Sequence, residues 1–179
     1  MSGEWISDSH SYVTPRDRGT GDAWGEEAAR TGKKGTQRLV EVTECVPPPY
    51  VADAFGLGAN EPVVVRQRLI LLDDQPVELA DSYYPVHIAR GTALAEHRKI
   101  PGGSPTLLHQ LGHAVAEVFE DVSGRMPTPE ERDALHLGDE EPVLLLARVS
   151  TDAAGHPVET MLSTMTTQGR HLHYRMRTS

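Results

Sequence analysis

The chain of 179 residues is 38% hydrophobic, 24% charged and 5% aromatic, the balance of one soluble globular domain rather than a multidomain assembly. No run approaches the ~20 apolar residues needed to cross a bilayer, and Met1-Ser2-Gly3-Glu4-Trp5 lacks the basic start of a signal peptide, so a cytoplasmic protein without a membrane partner is expected. The formal charge is −9, and beyond residue 40 acidic side chains outnumber basic ones 20 to 11, which argues against a basic stripe and hence against direct DNA binding.

Residues 1–20 mix Ser, Asp, Gly, Thr and Pro without apolar periodicity and read as a flexible or surface-draped N-terminal arm, with the folded domain at 21–179. Trp24–Arg30 reads as a short helix that Gly32 ends, and the basic cluster Arg30, Lys33, Lys34 and Arg38 as a solvated helix end and loop. Gln37–Val46 alternates as a strand up to Pro47-Pro48-Pro49, where the missing N–H groups forbid ladder pairing. Tyr50–Leu57 fits a short helix, Pro62–Leu72 and Pro76–Tyr84 fit strands, and Asp73-Asp74-Gln75 makes those strands a hairpin. A helix is expected over Val86–Lys99. Another should follow Pro101-Gly102-Gly103, with Ser104 as its cap, Pro105 at its first position and Gly112 at its end. Ala114–Val122 suits either strand or helix by composition and is read as a strand from the alternation of Ala114, Ala116 and Val118. Thr128-Pro129-Glu130-Glu131 is a capping box opening a helix through Leu135, and Pro142–Thr151, Pro157–Thr166 and His171–Arg177 read as strands.

An internal repeat organises these elements. Asp53-Ala54, Leu57, Gly58, Glu61-Pro62-Val63 and Arg68 recur 80 positions later as Asp133-Ala134, Leu137, Gly138, Glu141-Pro142-Val143 and Arg148. Pro76-Val77-Glu78 and Ser82 recur 81 positions later as Pro157-Val158-Glu159 and Ser163, the extra residue falling in the Asp152–His156 turn. Each half is a helix followed by a hairpin. An isolated hairpin cannot bury its own apolar face, so two copies are expected to share one antiparallel sheet covered by helices, an α+β domain with two related halves. The single cysteine, Cys45, excludes an internal disulfide and a thiolate zinc cluster, leaving stability to an ordinary apolar core.

Few residues carry chemistry. Arg66 and Arg68 lie two apart on a strand and leave the same face, where they form either a fork for phosphate or carboxylate or salt bridges to sheet carboxylates such as Glu78 or Glu159. Ser104 follows two glycines at a helix start, where its hydroxyl can serve as a cap or meet an anion drawn by the free N–H groups. His109 and His113 have no HExxH glutamate between them, and His171 and His173 have no third ligand, so no metal site is assigned. Neither a cofactor motif nor a Gly-x-Ser-x-Gly nucleophile is found.

The repeated block, Arg66-Gln67-Arg68, Pro76-Val77-Glu78, Gly103-Ser104 and Pro157-Val158-Glu159 together resemble a UTRA domain, the effector-binding domain of HutC-type GntR transcription regulators. The resemblance runs from about Trp24 to Tyr174. It implies a chorismate-lyase-like antiparallel sheet with short helices, a small-molecule pocket and homodimers, without catalysis. It also places Arg66 and Arg68 on a ligand phosphate, Ser104 and Thr106 on ligand-contacting positions, and Glu78 and Glu159 near the pocket as acceptors for ligand hydroxyl or amino groups. Thr106 replaces the tyrosine common in the family, and Met165 stands where many members have a pocket aromatic, with neither its stacking face nor its phenol. Usual members carry a winged helix-turn-helix before this domain. The residues preceding Trp24 are too few for one, so a free-standing module or a fragment of a longer regulator is expected. The functional reading is an effector-binding module for an anionic, phosphorylated or carboxylate, ligand. A chorismate-lyase-like enzyme and an interaction partner forming mixed dimers with full-length regulators are the alternatives.

Overall fold

A computed structural model describes residues 5–7, 9–17 and 21–172 of the chain. In chain order the elements are β1 (Trp5–Ser7), α1 (His10–Val13), α2 (Ala23–Arg30), β2 (Gly35–Cys45), α3 (Pro49–Phe55), β3 (Val63–Leu72), β4 (Gln75–Pro85), α4 (Val86–Ala89), a 3-10 turn (Ala93–Ala95), α5 (Gly103–Gln110), β5 (Glu117–Arg125), α6 (Pro129–Leu135), β6 (Val143–Thr151), β7 (Pro157–Thr166) and β8 (Arg170–Leu172). Strands β2 to β7 form one six-stranded antiparallel sheet in the order β2-β3-β4-β7-β6-β5. The fold is the α+β arrangement of two related halves that the repeat implies. The order reads the same from either edge once the halves are exchanged, so β4 and β7 meet at a pseudo-twofold axis, where Asp81 pairs with Leu162.

The repeated residues have local causes. Gly58 N–H donates to Glu61 Oε2 at 2.7 Å, and Gly138 N–H to Glu141 Oε2 at 2.9 Å, so each Gly-x-x-Glu ties the loop between helix and hairpin. Helices α3 and α6 both begin on a proline and end on a left-handed residue, Gly56 (φ 65°) and His136 (φ 55°). The β3–β4 turn places both Asp73 and Asp74 at positive φ, the two-residue geometry that matches strand twist.

The sheet is covered on both faces. On one, Val51 of α3 packs on Val63, Val65 and Tyr83. On the other, Val64 and Tyr84 pack on Ile88, Leu94, Leu108 and Val158, while Trp24 and Ala28 of α2 close over Ile70, Leu72 and Ala80. Burying these aliphatic and aromatic side chains is the main favourable term in folding, roughly 1.5–3 kcal/mol for each large one.

Several expected boundaries shift. The helix expected over Val86–Lys99 is only α4 and the 3-10 turn, interrupted at Gly91 (φ 77°). Ser104 is not the cap of α5: Gly102 is, in a left-handed conformation (φ 77°), and Pro105 stands at the third helical position. The strand read at Ala114–Val122 is Glu117–Arg125. Only the beginning of the strand expected over His171–Arg177 is seen, in β8, and residues 173–177 lie outside the described ones. Strand β8 pairs in parallel with β1, a pairing that the sequence did not suggest. Within the segment read as an arm, α1 lies against the domain, with Tyr12 packed on the α2 cluster.

Candidate functional site

A cavity of about 130 Å³ lies over the centre of the sheet, roughly ten times the space one water requires. Its floor is the outward rows of β3, β4, β7 and β6: Arg68, Glu78, Glu159, Met161, Met165 and Arg148. Its walls are Trp24 of α2 and the first turn of α5, from Gly102 to Pro105, and its roof is the arm, through Ser9, Ser11, Tyr12, Thr14 and Arg16. Strand alternation explains the floor, since residues two apart share a face. The repeat explains its symmetry, because Arg68 and Glu78 of one half return as Arg148 and Glu159 of the other.

The residues singled out from sequence divide into two groups. Arg68, Glu78, Ser104, Glu159 and Met165 line the cavity, whereas Arg66 and Thr106 do not. The buried Arg66 guanidinium turns to the 93–98 loop and donates to the carbonyls of Ala93, Leu94, Glu96 and Arg98 at 2.8–3.0 Å. Burial pulls its pKa below the ordinary value. Its donors are spent on holding a loop. Thr106 Oγ1 donates to Gly102 O at 2.8 Å and accepts from Arg16 N–H at 2.9 Å, so it fastens the arm to α5.

Arg68 differs from every other arginine of the cavity. Its Nη2 donates to Ser82 Oγ at 2.9 Å and its Nη1 reaches Gln37 Oε1 at 3.5 Å, both neutral, and no described carboxylate pairs with it. Neither of the salt bridges considered from sequence forms. Glu78 instead pairs with Arg170 at 3.0 Å and accepts from Ser163 Oγ at 2.8 Å. Glu159 accepts from Tyr84 O–H at 2.7 Å. Burial, and then the Glu159 charge, raises the Tyr84 pKa, so the phenol keeps its proton and stays a donor.

Arg148, the copy of Arg68, is paired: its Nε donates to Glu120 Oε1 at 2.6 Å, and Ser9 Oγ donates to Glu120 Oε2 at 2.9 Å. The edge-strand residue beside each arginine accounts for the contrast: a carboxylate beside Arg148, apolar side chains beside Arg68. Glu120 stands directly opposite Arg148 on β5. On β2 the register shifts between Leu39 and Glu41, so Leu39 stands opposite Arg68 and Val40, which is 80 positions before Glu120, lies in the bulge at 54% exposure. Arg68 thus has no carboxylate opposite it on the edge strand and no ion pair among the described residues. With the first-turn backbone of α5 nearby, the cavity has an electropositive end at Arg68 and carboxylate acceptors at Glu78 and Glu159.

Sequence reading missed Arg148, Arg170, Gln37, Tyr12 and Tyr84. Arg148 was available as the repeat copy of Arg68. Tyr12 came from a segment without periodicity, and nothing local marks it: its O–H donates to buried Glu27 at 3.0 Å. Among the described residues no group of His, Cys, Asp and Glu could hold a metal ion, and no helix is long and apolar enough to cross a membrane.

Comparison with known proteins agrees with this architecture. The UTRA domain model matches residues 30–168, and the chain belongs to that family. It is 31% identical over 112 residues to an uncharacterized HTH-type transcriptional regulator, SCO4628, of Streptomyces coelicolor, covering 61% of this chain and 42% of the regulator. It is 24% identical over 168 residues to the HTH-type transcriptional regulator GgaR of Escherichia coli, covering 90% and 61%. The chain thus spans about half the length of these curated relatives. Among solved structures, the effector domain of PhnF from Mycobacterium smegmatis superposes with a TM-score of 0.73 at 21% identity, covering 92% of this chain and 99% of that one. The C-terminal domain of the histidine utilization repressor from Pseudomonas syringae gives 0.69 at 18% identity, covering 81% and 100%. At these identities the structures attest the fold.

Proposed function

We propose that this UTRA domain is the ligand-sensing module of a GntR/HutC-type regulator and that its cavity takes a small anionic molecule, phosphorylated or carboxylate, seated on Arg68. The observation that carries the proposal is a half-buried guanidinium facing a cavity with only neutral partners, Ser82 and Gln37. Such a charge, little screened by water, gains more from an anion than an exposed one does. Glu159 and Glu78 beside it suit ligand hydroxyl or amino groups. The module acts by binding and not by turnover. The arm, which roofs the cavity and precedes the domain in the chain as the DNA reader does in usual members of the family, offers the route by which occupancy is reported. The open edge of β5, with Phe119 exposed on it, offers a place for a second copy or a full-length relative.

A thermal-shift screen over phosphorylated sugars and small organic acids tests the reading, since a ligand that binds only the folded state raises the midpoint. At least one such anion is expected to raise the wild-type midpoint and to raise that of Arg68→Met much less. A ligand that stabilises both proteins equally would refute the seat at Arg68.

A further inference from the structure

The repeat gives the cavity two arginines, and the second has donors to spare. Arg148 is 6% exposed and lines the cavity. Its Nε is engaged by Glu120, but its two terminal amino groups have no hydrogen-bond partner among the described residues. Neither nitrogen is sealed from solvent, so both open to the cavity, where water or a ligand oxygen can meet them. Charge separates the two ends. Arg68 has neutral neighbours, whereas the Glu120 carboxylate at 2.6 Å cancels the charge of Arg148 while leaving its terminal N–H groups in place. Strands β3 and β6 are three ladder spacings apart, which sets the two side chains at opposite ends of the floor.

We propose that Arg148 is a second ligand-reading group of this cavity, a seat for an uncharged oxygen acceptor, with Glu120 as the residue that keeps a second anion out. Resting on the anion seat at Arg68, this defines the ligand class: a molecule anionic at one end and bearing hydroxyl or carbonyl oxygens at the other, not a dianion with charges at both ends. Glu120 is a specificity-determining residue in this scheme. Removing its charge alone should turn the Arg148 end into an anion seat.

The test is the stoichiometry of inorganic phosphate binding by calorimetry on the full chain. Wild type is expected to bind one phosphate and Glu120→Gln two, with the second lost again in Glu120→Gln/Arg148→Gln. Thr128→Ala, at the exposed cap of α6 and outside the cavity, should keep the wild-type stoichiometry. If Glu120→Gln gains no site, or the double variant keeps the gain, the assignment is overturned. If wild type binds none and Glu120→Gln binds one, the seat at Arg68 fails while Arg148 stands. Should Glu120→Gln not fold, Arg148→Gln decides with two probes. It should bind phosphate as wild type does and sorbitol 6-phosphate about tenfold more weakly, and an equal effect on both probes would overturn the proposal.

Discussion

The two halves of the sheet share a backbone and differ in what they do with the same positions. At the end of the first edge strand, Cys45, Val51 and Tyr83 sit in an apolar cluster with Val63 and Val65. Their copies are Arg125, Glu131 and Thr164, and there Arg125 and Thr164 both donate to the Glu131 carboxylate, at 2.6–2.9 Å. One strand further in, Arg66 clamps a loop where its copy, Leu146, packs on Met161 and Met165. Arg68 faces the cavity uncompensated, where Arg148 is compensated by Glu120. Duplication thus fixed the geometry, and side-chain divergence at matched positions distributed the tasks: the N-terminal half holds a loop and a free positive charge, and the C-terminal half holds polar clasps.

The sharpest way to break this contrast is at Arg66. Arg66→Met leaves carbonyls of the 93–98 loop without donors and should cost about 3–5 kcal/mol in urea denaturation, from several charge-assisted bonds at a buried site. A loss below about 1 kcal/mol would show that the loop does not depend on the clamp.

Acid should act on the C-terminal half. The Arg125 guanidinium, aided by the Thr128 N–H and the Thr164 hydroxyl, holds the Glu131 pKa down to about 2 from 4.5. A folded-state pKa below the unfolded one gives stability that is present above pH 4.5 and is lost as pH falls toward 2. After allowance for solvent screening this is about 2 kcal/mol. Glu131→Gln should flatten that part of the stability profile, while Val51→Ala lowers stability without changing its slope with pH.

At the cavity the expected effect is on binding. Arg68→Met should weaken an anionic ligand by roughly 10- to 100-fold, the worth of one charge-assisted contact, with little change in the denaturation midpoint. Calorimetry and urea titration on one sample separate the two readouts. The smallest effect belongs to the α6 cap: Thr128→Ala removes the acceptor for Glu131 N–H at 3.2 Å and should cost about 1 kcal/mol by thermal denaturation.

How much could be read from sequence follows the same division. The repeat, the hairpins and the capping box at Thr128 were legible because their signals are local: alternation, turn residues and Gly-x-x-Glu spacing. The helix expected over Val86–Lys99 failed because its composition favours helix while Gly91 and the Arg66 clamp impose a loop, a tertiary contact with no local trace. At the site, the residue types at Arg68, Glu78 and Glu159 stood out. The different roles of Arg66 and Arg68 did not, since two arginines on one face are equivalent until the loop above one and the cavity above the other are known. That Arg68 lacks the carboxylate beside its copy was available in the repeat, where Val40 stands 80 positions before Glu120, whereas the bulge that puts Leu39 opposite Arg68 is a register fact and is invisible in composition.

The floor of this cavity presents to a small anion one guanidinium, Arg68, that has no ion-pair partner among the described residues. The most direct measurement of that role is a titration with inorganic phosphate of protein labelled with nitrogen-15 in arginine, following the Nε–H signals by NMR and assigning them with the Arg66, Arg68 and Arg148 variants. A saturable shift of the Arg68 signal is expected, with the Arg66 signal unmoved because its donors stay on the 93–98 carbonyls. A stationary Arg68, or an Arg66 that moves in its place, would contradict that role.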